Sequence, residues 1–140
     1  MKNLKPVATL SPQDFKFVVE KTPLVSIDLI IHDGRNLLLG LRRNAPSQNS
    51  YFVPGGCVFK NEALSDAFTR ISSKELSNQL SFEKSQFIGV IQEFYPDNFA
   101  KDPAFGTHYI SLGYAHKVDF SEFVPVPDDQ HSKYLVATIN

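Results

Sequence analysis

The pattern of apolar and polar positions in the first part of the chain predicts a β-hairpin. Residues 23–31 form a short apolar run rich in β-branched side chains, which is typical of a buried strand. Asp33-Gly34 is a hairpin turn signal, so residues 36–42 are predicted to return as the partner strand. Tyr51-Phe52 is predicted to be a shorter strand that leads into the glycine pair Gly55-Gly56.

Two segments follow a helical period instead. Ser11 is a suitable N-cap for a short helix over residues 12–20, which begins with proline at its first position. Asn61 is predicted to cap a longer helix over residues 62–76. That helix carries an apolar stripe at helical spacing, formed by Leu64, Ala67, Phe68, Ile71 and Leu76.

The second half of the chain returns to the strand pattern. Long strands are predicted at 87–95 and 107–118, and a last strand at 133–139, after a loop rich in proline and aspartate at 125–131. Strands therefore outnumber helices, and the predicted fold class is α+β or α/β with a mixed sheet. The length suits a single domain, residues 1–140.

Composition narrows the class of protein. Apolar residues make up 42% and charged residues 21%, which indicates a globular chain, and the net charge of -1 gives no basic excess for nucleic acid or a membrane surface. The apolar runs are too short for a membrane span, and no signal peptide is expected at the start. Cys57 is the one cysteine, so a reducing compartment is expected, and we predict a cytoplasmic protein.

A glycine, a glutamate and an arginine stand at the spacing G-x5-E-x7-R, as Gly56, Glu62 and Arg70, and Glu75 follows five residues later. Acids at positions i, i+3 and i+4 of a helix share one face and can hold hard cations against a pyrophosphate. Here that face carries Ile71, Lys74 and Glu75, so one carboxylate remains and one metal ion is expected. Taken alone, the pattern is equally typical of an amphipathic helix with a surface Glu–Arg pair.

These residues resemble the Nudix box, and the rest of the chain is similar to one Nudix group, the GDP-mannose mannosyl hydrolases. The similar segments run in order from about Asp14 to Tyr134. They include 22–28, 38–40, 52–56, 67–68, 89–90, 94–95, 97–99, 107–109 and 127–131. The resemblance implies an α/β/α sandwich in which the box helix packs against a central mixed sheet.

The resemblance also implies an unusual reaction. Water attacks the anomeric carbon of GDP-mannose or a related GDP-hexose, with inversion, and releases GDP and the free sugar. His131 matches the general base, which suits an imidazole that is neutral near pH 7. Gly55, Glu75 and Gln130 match the ligands of one Mg²⁺, with Mn²⁺ as the alternative ion. A homodimer is implied as well.

Other residues match supporting and substrate-binding positions. Arg70 matches a residue that supports the catalytic site, and Arg42 and Tyr109 match contacts to the leaving group. Asp28 and Phe94 match positions beside the nucleotide-sugar. Because a buried acid needs a partner, Asp28 is either a ligand contact or half of a structural hydrogen bond.

Two positions depart from the resemblance and keep other functions open. Cys57 stands where an arginine is expected beside the diphosphate, and Glu93 stands where a histidine is expected. Both departures favour a second hypothesis, a catalytically weak module that binds nucleotide-sugars. A third hypothesis is a Nudix pyrophosphatase, which would require the acids that are missing at 71 and 74.

Overall fold

Seven strands form one mixed sheet in the computed structural model, which describes residues 4–8, 10–76, 80–123 and 131–138. The helices are α1 (Pro12–Lys21) and α2 (Leu64–Leu76), with a short 3-10 helix at Phe82–Lys84. The strands are β1 (Leu24–His32), β2 (Asn36–Arg42), β3 (Tyr51–Phe52), β4 (Gly55–Cys57), β5 (Gln86–Tyr95), β6 (Thr107–Lys117) and β7 (His131–Thr138).

Strand β1 lies at the centre of the sheet. It pairs in parallel with β6 along its whole length and antiparallel with both β2 and β4. Strand β5 pairs antiparallel with β6, while β3 and β7 pair antiparallel with β2. The prediction of a mixed sheet is therefore confirmed.

The two faces of β1 look toward different helices, because successive side chains of a strand point to opposite faces. Ile27, Leu29 and Ile31 are fully buried in the core together with Phe68 and Ile71 of α2. The alternate residues of β1 face the other side of the sheet, where α1 lies. This gives the α/β/α sandwich that the sequence predicted.

Helix α1 begins as predicted, since the Ser11 hydroxyl accepts a hydrogen bond from the Asp14 amide at 3.1 Å. The start of α2 was predicted wrongly. Asn61 has a φ of 68° and its side-chain amide donates to the carbonyl of Lys5 at 3.2 Å, so it is not the N-cap. The helix begins at Leu64 because the preceding turn is held by the side chain of Glu62.

The last strand also differs from the prediction. His131 was expected at the end of a loop, but it begins β7, where it pairs with Arg42 of β2. Backbone pairing with a neighbouring strand extended the element by two residues beyond what the local sequence indicated. No helix within the described ranges is long and apolar enough to cross a membrane.

Candidate active site

A cavity of about 270 Å³ lies between the sheet and α1. Its wall is built from alternate residues of three strands, which are the positions that face away from α2. The wall residues are Leu24, Ser26 and Asp28 of β1, Thr107, Tyr109 and Ser111 of β6, and Glu93 and Tyr95 of β5. Strand β4 and the segment around Arg42 complete the wall, and Phe15, Val19 and Phe99 close it opposite the sheet.

The fold brings three of the predicted substrate-binding residues together in this cavity. Asp28, Arg42 and Tyr109 come from three different strands, and all three line it. The Arg42 guanidinium donates from Nε to the carbonyl of Asn44 at 3.3 Å and lies 5.8 Å from the centre of the Phe52 ring. These contacts hold a positive charge at the cavity wall and leave its other N–H groups available to a ligand.

Gly55 lies beside Asp28 because β4 pairs with β1. A β-carbon on Gly55 would come within 2.4 Å of the Ile27 carbonyl oxygen, so only glycine allows this close approach. Ladder bonds join Leu29 to Pro54 and Val25 to Val58, so Gly55 and Asp28 form a non-hydrogen-bonded pair. The carbonyl of Gly55 therefore points away from β1, as a metal ligand would require.

Two of the three predicted metal ligands, Gly55 and Glu75, lie among the described residues. Glu75 is 2% exposed, and it lies one helical turn after Ile71, which packs against Gly56. A carboxylate and a backbone carbonyl are the oxygen donors that Mg²⁺ prefers. Gln130 lies outside the described residues. Within those residues no three His, Cys, Asp or Glu side chains cluster around a common point.

Asp28 is the acid that the cavity perturbs most clearly. Burial raises its pKa to about 7, and the nearby charge of Glu93 adds to the effect. None of the described residues forms a hydrogen bond or an ion pair with the Asp28 side chain. The structural hydrogen bond that was one of the two interpretations of this acid is thus not among the contacts of the described residues.

Two tyrosines in the cavity remain hydrogen-bond donors near neutral pH. Burial raises the pKa of Tyr109 to about 12, and burial together with the bond to Glu93 raises the pKa of Tyr95. The Tyr95 hydroxyl donates to the Glu93 carboxylate at 2.5 Å. Burial also raises the pKa of Cys57, so the residue at the expected arginine position is a neutral thiol.

Arg70 does not line the cavity. Its guanidinium donates to both carboxylate oxygens of Glu62, at 2.8 and 3.0 Å, and to the carbonyl of Cys57 at 2.7 Å. It also lies 3.7 Å from the centre of the Phe59 ring. Arg70 is therefore a positioning residue that fixes the turn between β4 and α2, and the Glu–Arg pair is half-buried rather than on the surface.

Two predicted residues remain, Phe94 and His131. Phe94 is separated from the cavity, because it lies between Glu93 and Tyr95 and points to the opposite face of β5. It is 68% exposed there and stacks on His108 with ring centres 4.3 Å apart. The backbone of His131 pairs with Arg42, a residue of the cavity wall.

Sequence analysis missed several residues that shape the cavity. The hydroxyls of Ser26 and Ser111 are 2.7 Å apart across β1 and β6, and both residues are buried. Asn98 is fully buried and donates to the carbonyls of Asp102 and Phe105, which shapes the loop before β6. Strand alternation was a signal that could have identified the serines, because they lie two residues from Asp28 and Tyr109 in the same strands. The Asn98 contacts had no signal of their own.

Comparison with known proteins assigns the family. A NUDIX domain profile matches residues 22–138. The chain is 34% identical over 132 residues to the low-salt glycan biosynthesis protein Agl8 of Haloferax volcanii, and the match covers 94% of this chain and 81% of that protein.

Solved structures agree. A MutT NUDIX hydrolase from Burkholderia pseudomallei has a TM-score of 0.65 and 26% identity, with 84% of each chain covered. A MutT/nudix family protein from Enterococcus faecalis has a TM-score of 0.65 and 20% identity over 92% of this chain, which spans about half (51%) of that protein. The chain therefore belongs to the Nudix family of hydrolases.

Proposed function

We propose that this Nudix hydrolase cleaves GDP-mannose or a related GDP-hexose at the anomeric carbon, with inversion, to release GDP and the free sugar. The observation that carries the proposal is the convergence of Asp28, Arg42 and Tyr109 on one cavity beside Gly55. The similarity to a protein named for glycan biosynthesis also favours a sugar-containing substrate.

The cavity suits a leaving diphosphate. Substitution at an anomeric carbon passes through an oxocarbenium-like state, so the reaction depends on stabilising the departing negative charge. The Arg42 guanidinium supplies a positive charge at the wall, and Tyr109 supplies a neutral hydroxyl donor. Because a diphosphate leaves well once its charge is neutralised, no general acid is required.

Nudix hydrolases generally use divalent metal ions. Gly55, Glu75 and Gln130 are the proposed ligands of one Mg²⁺, with Mn²⁺ as the alternative. When bound, the ion would neutralise charge on the diphosphate. Gly55, one of the proposed ligands, lies in the same cavity wall as Arg42 and Tyr109.

His131 is the proposed general base that removes a proton from the attacking water. A neutral imidazole near pH 7 matches this task, and no carboxylate of the box would then be needed as a base. Strand β7 holds the backbone of His131 next to Arg42, which is consistent with a base that acts near the leaving group.

A pyrophosphatase reaction is the second candidate, because the family itself supports hydrolysis of nucleotide derivatives. The box argues against it. Ile71 replaces one acid and is 1% exposed within the core, so a metal ligand at that position is absent. Lys74 replaces another. A site with one box carboxylate suits attack at carbon, where fewer metal charges are needed.

Hydrolysis of GDP-mannose in ¹⁸O-labelled water with Mg²⁺ tests the proposal. We expect label in free mannose of inverted configuration and unlabelled GDP, and His131→Ala should reduce the rate by about 10²–10⁴-fold. Label in GMP or mannose 1-phosphate would establish attack at phosphorus instead. Binding without turnover would indicate the weak binding module, and Cys57→Arg would then be the first variant to restore activity.

Two further expectations accompany the proposal. The resemblance implies a homodimer, which light scattering coupled to size-exclusion chromatography measures directly. The single cysteine is consistent with action in a reducing compartment such as the cytoplasm.

A further inference from the structure

Glu93 places a carboxylate in the cavity wall. Its carboxylate accepts a hydrogen bond from Tyr95, and both side chains reach the cavity from β5. No lysine or arginine among the described residues forms an ion pair with Glu93. The carboxylate is thus held in place by a neutral neighbour.

Asp28 adds a second carboxyl to the same cavity. Asp28 reaches the wall from β1 and Glu93 reaches it from β5, and β6 lies between these two strands. Tyr109 pairs in register with Glu93 across β6 and β5, and it lines the same wall as Asp28 and Arg42. Arg42 is the only lysine or arginine among the described residues of the cavity wall.

The charges in the cavity favour different parts of a ligand. A guanidinium binds phosphate oxygens, whereas carboxylates accept hydrogen bonds from hydroxyl and amino groups. A carboxylate on the ligand would meet Glu93 as a like charge, and no described lysine or arginine forms an ion pair with Glu93. Specificity often depends on this kind of repulsion as much as on attraction.

We propose that Glu93 is a specificity-determining residue, which favours nucleotide-sugars whose sugar carries hydroxyl or amino donors and excludes those whose sugar carries a carboxylate. The inference rests on the proposed function, because it requires a nucleotide-sugar in this cavity. It goes beyond that function by assigning a role to an acid that replaces an expected histidine.

The test compares the dissociation constants of GDP-mannose and GDP-mannuronate by calorimetry, in the presence of Mg²⁺. The wild type should prefer GDP-mannose by about tenfold or more, because like-charge juxtaposition is costly in a partly desolvated site. Glu93→Gln should reduce that preference by at least about threefold. Glu83→Gln is the matched control, since Glu83 is exposed in the 3-10 helix outside the cavity wall, and it should leave the preference unchanged.

Two more variants keep the result interpretable. Glu93→Asp retains the charge and should retain the preference, while Glu93→Ala removes the charge by a second route if the glutamine variant does not fold. Equal binding of the two ligands by the wild type would overturn the proposal. A preference that survives both neutral variants would do the same.

Turnover is measured in parallel so that the two proposals can fail separately. A protein that shows the Glu93-dependent preference but releases no mannose would contradict the proposed hydrolysis and leave the specificity role standing. If neither nucleotide-sugar binds to the wild type, both proposals are wrong.

Discussion

Glu62 and Asp28 are both acids next to strand β4, yet their surroundings shift their pKa values in opposite directions. The Glu62 side chain is 5% exposed and meets Arg70 through two hydrogen bonds, so its pKa is lowered. Asp28 lines the cavity, meets no described cation in an ion pair, and has its pKa raised to about 7. Glu62 is held in a structural ion pair, whereas Asp28 lines a cavity and has no such pair among the described residues.

The physical reason is the balance between desolvation and compensation. Burial removes hydration from any carboxylate, and this loss is offset only where charged or hydrogen-bonded partners replace the water. Arg70 and the Phe59 amide provide that replacement for Glu62. At Asp28 no described residue provides such a replacement through an ion pair, and strongly perturbed acids of this kind are frequent at functional sites.

Removing the cation from the structural pair should have the largest effect. Arg70→Ala leaves Glu62 buried without its partner and also frees the carbonyl of Cys57. We expect a loss of about 3 kcal/mol in the free energy of unfolding, measured by urea denaturation. Arg35→Ala, an exposed position in the β1–β2 turn, is the control and should change stability by less than about 0.5 kcal/mol. A loss this small at Arg70 would show that the pair is not structural.

Replacing the Asp28 carboxyl by a neutral amide should have a moderate effect, and it should raise the free energy of unfolding instead of lowering it. The folded protein holds the Asp28 proton up to about pH 7, whereas the unfolded chain releases it near 3.8. The stability contributed by the neutral acid is therefore complete below pH 3.8 and is lost as the pH rises to about 7.

Asp28→Asn is neutral at every pH and should lack this loss. Without metal, we expect the variant to be about 2 kcal/mol more stable than wild type at pH 8 and nearly equal at pH 4. Urea unfolding in EDTA across this range measures the difference, with the exposed Asp66→Asn as control. A constant difference between the two proteins would contradict the raised pKa.

The smallest effect is expected at the serine pair, which tests a neutral contact in the same cavity wall. Ser26→Ala or Ser111→Ala alone leaves one buried hydroxyl without its partner at 2.7 Å, and should cost about 1 kcal/mol. The double variant should cost less than the sum of the two single variants, since no unpaired hydroxyl remains. Additive losses in thermal unfolding would mean that the two hydroxyls do not stabilise each other.

Much of the fold was predictable because the spacing of apolar residues along the chain differs between strands and helices. The strand pattern located β1 and β2 closely, and the helical stripe located the body of α2. The same local reasoning was wrong about the start of α2 and about His131. In both places a contact from a distant segment decides the outcome: the carbonyl of Lys5 meets Asn61, and β2 pairs with His131.

The site was less predictable, and the resemblance supplied most of it. Strand alternation alone is enough to place Asp28 on the face opposite Ile27, and it also shows that Phe94 cannot face the same side as Glu93. The contact between Tyr95 and Glu93 follows the same rule, since residues two apart in a strand share a face. Sequence pattern could not say which acid would find a cation.

The sequence by itself determined the order of the elements, the faces of the strands and the depleted metal face of the box helix, because these depend on residues that are neighbours along the chain or one turn apart. Tertiary structure alone decided that Ser26 and Ser111 form a hydrogen bond and that Asp28 and Glu93 line one cavity. It also decided that Arg70 donates hydrogen bonds to Glu62 and Cys57. Those contacts join distant segments, and the parallel pairing of β1 with β6 and the packing of α2 bring them together.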